Sequence, residues 1–111
     1  MPTKPTLTYD DFTKLDLRIG RIESAEMVPE SRKLIKLMVD FGEFKRQIVS
    51  VIAKGYAPES LLGRQLTFIV NLETRLLAGL ESQGMILATD VSDLPVLLQP
   101  DKEVPNGSAI H

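Results

Sequence analysis

From Lys33 to Phe41 the side chains alternate: Ile35, Leu37, Val39 and Phe41 fall on one side of an extended backbone, Lys36 and Asp40 on the other. A period of two belongs to a strand with one buried face and not to a helix, whose apolar positions recur every three to four residues. The same reading extends along the chain. Gly42-Glu43 makes a tight turn, and Phe44 to Ile52, rich in β-branched residues, returns as a second strand. Upstream, Leu15, Leu17 and Ile19 alternate as far as Gly20, after which Ile22 takes the opposite phase. A glycine at a phase change predicts a bulge or sharp bend, which lets one long strand serve two faces of a barrel.

Helix signals are brief. Thr8 suits an N-cap, with Asp11 at the third helical position as a capping-box variant and Leu7 and Phe12 set to form a hydrophobic staple; the helix is expected to reach about Leu15. A second short helix is expected between Pro58, at the first helical position, and Gly63, beyond the last. Two more strands follow, Gln65 to Asn71 and Gly84 to Thr89, with a polar loop from Leu72 to Gln83 between them. Past Asp90 the chain carries Pro95, Pro100 and Pro105-Asn106-Gly107 and reads as an extended appendage with one short apolar strand at Val96 to Leu98.

Three strands, a short helix and two strands make the order of an all-β, five-stranded OB-fold barrel, here with a short N-terminal helix and a C-terminal extension. A different small β-rich barrel fits the same pattern. At 111 residues the chain has the length of a single domain, 1–111, with 91–111 as the extension.

Composition narrows the chemistry. There is no cysteine, and the only histidine is the terminal His111, so neither a thiolate nor a Ser-His pair is on offer. Gly79-Leu80-Glu81-Ser82-Gln83-Gly84 is spaced G-x-x-S-x-G, unlike a nucleophile elbow. Asp10 and Asp11 are adjacent and would point in different directions on a helix, which suits a negative first turn and not shared acid-base work. No phosphate-binding glycine loop or histidine-based metal cluster occurs, so no catalysis, cofactor or metal is expected. The N-terminus lacks an apolar run behind Lys4, and the longest apolar stretches are interrupted by polar residues; a cytoplasmic chain without membrane attachment is expected.

Charge is uneven although the net is -2. From Lys14 to Arg75 there are eleven Lys and Arg against eight Asp and Glu, whereas one Lys faces five acids from Leu76 onward. That allows a local cationic groove on an acidic molecule. Only six aromatic rings are present, Tyr9, Phe12, Phe41, Phe44, Tyr56 and Phe68, and most fall on core phases. RNA recognition would then rest on backbone charge and shape and not on stacking of loose bases.

Three runs carry a family likeness: Asp11-Phe12-Thr13-Lys14-Leu15-Asp16-Leu17-Arg18-Ile19-Gly20, Lys45-Arg46-Gln47-Ile48-Val49-Ser50 and Ser82-Gln83-Gly84-Met85-Ile86-Leu87-Ala88. Together they resemble the tRNA-binding domain at the C-terminus of methionyl-tRNA synthetases and, in length, the free-standing tRNA-binding proteins of the same family. The resemblance implies an OB fold, a homodimer completed by the C-terminal appendage, and binding of tRNA by shape with little regard to anticodon. By the same resemblance, Lys33, Arg46 and Arg75 are expected on phosphates, with Arg18 and Lys36 as further candidates. Asn71 and Ser82 are expected as hydrogen-bonding groups toward RNA, and Met85 as either a contact or core packing. The chain departs from the family at Val51, Thr74 and Leu76, and Lys33 is kept within an altered Val28 to Leu34 run.

Residues from about Pro100 to Ile110 are expected at a symmetric dimer interface, with Val104, Pro105 and Ile110 around a Pro-Asn-Gly turn. Two other roles fit the resemblance: a detached subunit that docks on methionyl-tRNA synthetase and delivers tRNA, and a secretion-chaperone-like binder of unfolded polypeptide, which would need an exposed apolar patch.

Overall fold

In the computed structural model, which describes residues 1–111, Leu17–Met27 form one long strand, β1, that its neighbours divide between them. Strand β2 (Ile35–Asp40) pairs with the second half of β1, strand β3 (Lys45–Ser50) pairs with β2, and strand β4 (Gln65–Ile69) pairs with the first half of β1. All three pairings are antiparallel, and Arg21 is the residue that both β2 and β4 claim. The expected alternation in β2 holds, since Ile35, Leu37 and Val39 are fully buried while Lys36 and Asp40 are only partly covered.

The irregularity in β1 is displaced from its expected place. Register shifts between Ile22 and Ser24, so the bulge lies at Glu23 and not at Gly20. Gly20 stays in regular pairing with Leu66, and its missing side chain serves packing: a Cβ there would come within 2.6 Å of the Phe41 ring. The phase change at Gly20 arises because β1 is covered on both faces. Ile22 joins the barrel core, whereas Ile19 is buried outside that cluster, where it exchanges backbone hydrogen bonds with Gly107 and Ser108.

After β4 the chain makes a hairpin of strands β5 (Arg75–Leu77) and β6 (Leu80–Ser82), where the sequence reads as a polar loop. Ala78 and Gly79 both take positive φ, 51° and 79°, the geometry of the two-residue turn that matches strand twist. Strand β7 (Met85–Ile86) then pairs with β4 and completes the five-stranded barrel β1, β2, β3, β4, β7. Across the remaining seam the Gln83 N–H donates to the Gln47 carbonyl at 2.8 Å and the Val49 N–H to Ser82 Oγ at 3.0 Å, so the barrel is nearly closed. Phe41, Phe68, Leu61, Leu66 and Ile48 fill it, with the Phe41 and Phe68 rings edge to face at 5.5 Å.

Past Leu87 the expected last strand leaves the barrel. Strand β8 (Ala88–Val91) pairs with β9 (Leu94–Leu97) through another two-residue turn, Ser92 and Asp93, both at positive φ.

The N-terminal helix α1 spans Tyr9–Thr13 and stops short of Leu15. Thr8 caps it as expected, its Oγ1 accepting from the Asp11 N–H at 3.1 Å. The Asp11 carboxylate instead meets Lys14 at 3.1 Å, and Leu7 is 70% exposed, so the helix entry has no buried staple. The second helix is a four-residue 3₁₀ turn, Pro58–Leu61, ended near Gly63 at φ 78°. The chain closes with strand β10 (Ala109–Ile110), antiparallel to Leu17 and Arg18 of β1. The appendage is held by Gln65, whose amide donates to the Val104 carbonyl (2.6 Å) and Asn106 (2.9 Å) and accepts from the Val104 N–H (3.1 Å).

Candidate nucleic-acid interface

A groove runs along the barrel where the end of β3 faces β7 and the β8–β9 hairpin. Its first hollow, about 350 Å³, is largely apolar: Val51, Ile52, Leu77 and Met85 line it, with Arg75 at one side and Asp90 at another. The second, also about 350 Å³, is lined by Lys33, Lys54, Val51, Asp90, Asp93 and Pro95. Val51, Asp90 and Pro95 belong to both, so the two hollows form one continuous trough.

Local structure explains who faces it. Val51 follows the last residue of β3 and is 61% exposed; the chain turns there into the segment in which the Ala53 N–H donates to the Lys33 carbonyl at 3.1 Å. That bond brings Lys33, which precedes β2, alongside Lys54. Met85 lies on the outward phase of β7, beside buried Ile86, and is 41% exposed; of its two expected roles, core packing is ruled out by this position. Arg75 opens β5 and is exposed.

The other expected residues are occupied elsewhere. Arg18 clasps Asp16 through Nε (2.8 Å) and Nη2 (3.1 Å); the hydrogen bond to Asp16 raises its pKa above the ordinary arginine value, burial opposing. Arg46 donates to the carbonyls of Val70 and Gln83, both at 3.3 Å. The two guanidiniums also share one ring, Arg18 at 5.1 Å and Arg46 at 4.9 Å from the Phe44 centroid, a cation-π arrangement. Lys36 pairs with Glu26 at 2.8 Å. Asn71 ties the start of β1 to the end of β4: its Oδ1 accepts from the Asp16 N–H (2.8 Å), and its Nδ2 donates to the Lys14 carbonyl (2.6 Å). Ser82, expected to face RNA, is buried; its hydroxyl accepts from Val49 and donates to the Gly84 carbonyl at 3.0 Å. It shapes the seam beside the groove and presents nothing to solvent.

Of the eight expected residues, then, Lys33, Arg75 and Met85 meet in the trough. Sequence reasoning missed Lys54, Val51 as a wall residue, Asp90 and Asp93. Lys54 had a signal, as a cation a few residues past a strand end and before Gly55 in the basic half of the chain. The acids had none, because their placement depends on the β8–β9 hairpin.

Cation pairing across the surface is selective. Lys14, Arg18, Arg21, Lys36 and Lys45 each hold a carboxylate, and the hydrogen bond that Lys45 donates to Glu23 raises its pKa. Arg64 donates to Gln99 at 3.1 Å and lies over Tyr56. In the basic segment this leaves Arg32, Lys33, Lys54 and Arg75 without a carboxylate or ring, and three of these four line the trough.

Known proteins share both sequence and shape with this chain. Methionine--tRNA ligase of Methanothrix thermoacetophila is 52% identical over 108 residues, 97% of this chain but 16% of that protein; the chain thus spans about a sixth of the curated relatives it matches. The crystal structure of a MetRS related protein from Pyrococcus horikoshii superposes with a TM-score of 0.91 at 37% identity, covering 97% of this chain and all of that one. The chaperone CsaA from Bacillus anthracis str. Ames gives a TM-score of 0.88 at 38% identity, covering 96% and 100%. Residues 17–109 match the family model described as "Putative tRNA binding domain", and with the barrel and its trough in view the chain belongs to this tRNA-binding domain family.

Proposed function

We propose that this chain binds tRNA as a folded RNA, through shape and phosphate contacts in the trough, with no catalytic step of its own. The observation that carries this reading is the concentration of unpaired cations: Lys33, Lys54 and Arg75 stand free around one groove while most other basic side chains in the central segment are neutralised or stacked. Free cations release counterions when they meet phosphates, and the released ions drive binding. Labelled tRNA titrated at two salt concentrations tests it. Lys33→Ala and Arg75→Ala are each expected to weaken binding and to flatten the log–log salt slope by roughly 0.7 to 0.9 per lost contact. Arg46→Ala is expected to lower the melting temperature and move the slope less. Unchanged affinity and slope for both trough variants would remove the trough as the RNA site.

In this reading the chain acts in the cytoplasm and as a two-fold dimer, the segment 100–110 contributing Val104, Pro105 and Ile110 to the interface. Support comes from the apolar side chains Tyr9, Phe12 and Leu15, exposed just ahead of the β1 end that pairs with Ile110. Delivery of tRNA to methionyl-tRNA synthetase, as a module or a docked subunit, fits the relatives. A second reading, binding of unfolded polypeptide, is favoured by the apolar wall of the first hollow and by the likeness to a protein named a chaperone. Competition between tRNA and an unfolded apolar polypeptide separates the two.

A further inference from the structure

The junction of the two hollows does not suit a plain phosphate track. Val51, shared by both hollows, and Met85, in the first, leave apolar side chains open to solvent, and Asp90, which belongs to both hollows, makes no ion pair even though Lys33 and Lys54 line the second with it. A carboxylate pointed at a phosphate repels it, and an apolar wall gains nothing from one. Each hollow, at about 350 Å³, falls at the low end of the roughly 300–1,000 Å³ range of small-ligand sites. An unstacked base with its flanking phosphates satisfies all three features together: apolar faces for the ring, cations on either side for the phosphates, and an acceptor for N–H groups on the Watson–Crick edge.

Base chemistry then selects. Uracil offers one N–H between two carbonyls, which a carboxylate would oppose. Adenine and cytosine each set one amino group beside a ring acceptor. Guanine alone presents two adjacent donors, N1–H and the N2 amino group, that match the two oxygens of a carboxylate.

We propose that the trough holds one unpaired guanine nucleotide of the bound RNA, its base between Val51 and Met85, its Watson–Crick edge on Asp90, and its neighbouring phosphates on Lys33, Lys54 and Arg75. The proposal rests on the tRNA-binding reading and adds a base-reading site to it.

The sign of one mutational effect decides the matter. If Asp90 is a bystander beside phosphates, its removal lowers the negative charge of the groove and tightens RNA binding. If Asp90 reads guanine, removal weakens binding, because a bidentate base contact supports about a tenfold or greater discrimination. The experiment pairs titration of a tRNA transcript against the wild-type chain, Asp90→Ala and Asp90→Asn with chemical probing by a reagent that modifies N1 and N2 of unpaired guanines. Expected are protection of one unpaired guanine by the wild-type chain, loss of that protection in both variants, and about tenfold weaker binding. Wild-type binding of tRNA with no guanine protected, or unchanged or tighter binding by the variants, overturns the base site and leaves the tRNA reading standing. Failure of the wild-type chain to bind tRNA overturns both. A groove that takes an apolar polypeptide, lost in Val51→Asp, with no guanine footprint on tRNA, also overturns the base site.

Discussion

Ser82 shows how a residue beside a site can matter without touching a ligand. Its hydroxyl is the partner of the Val49 N–H across the open seam of the barrel. A buried donor left unpaired costs about 1–3 kcal/mol, so Ser82→Ala is expected to lower stability by that amount, and the loss should appear in urea denaturation with an unchanged m-value. Destabilisation below about 0.5 kcal/mol would mean that water or a shifted backbone satisfies Val49. The family resemblance singles out Ser82 and Asn71 but does not tell which way either side chain faces. Burial decides that, and burial depends on strands far away in the chain: Ser82 is committed to a residue 33 positions earlier and Asn71 to one 55 positions earlier. Lys33 and Arg75 stay exposed and without a carboxylate partner, so for them tertiary structure changes little.

Strand β2, with its clear alternation, and strand β3, read from its β-branched residues, lie within the segments where the sequence places them, and the Thr8 cap forms as expected. The β5–β6 hairpin did not stand out. Its strands are three residues each, too short for a period to show, and its turn is Ala78-Gly79 in place of the commoner Asn-Gly or Asp-Gly pair. Ala78 accordingly sits at φ 51°, a left-handed conformation that costs a residue with a Cβ roughly 1–2 kcal/mol. Ala78→Gly is expected to relieve that strain, offset in part by the greater freedom of glycine in the unfolded chain, for a net gain of about 0.5 kcal/mol. Thermal denaturation checks it. A fall in melting temperature would show that the turn is unstrained in solution. The hairpin carries Arg75 and Leu77 to the trough, so the sequence that hides this element also hides part of the site.

At the scale of the molecule, the appendage expected at a dimer interface lies against its own barrel, through Gln65 and the pairing of β10 with β1. Both descriptions can hold together if the docked appendage and the exposed Tyr9, Phe12 and Leu15 present one self-complementary apolar surface, as a two-fold contact requires. Ile110→Asp is expected to turn a dimer into a folded monomer and to weaken tRNA binding in parallel. Sedimentation velocity of the variant at several concentrations reads the outcome, and a dimer of wild-type stability would exclude Ile110 from the interface. No helix is long and apolar enough to cross a membrane.

Strand β1 begins at residue 17, yet one of its partners is residue 110. During synthesis, which delivers the chain from its N-terminus, β1 can take up β2 early and β4 somewhat later, but the pairing of Leu17 and Arg18 with β10 waits for residues 109 and 110. Contacts this distant are slow to form because the intervening loop must first be closed. The five barrel strands can therefore pair before residues 107–110 dock beside Leu17 and Ile19. The two residues of β10 thus act as a latch that closes over a barrel already formed.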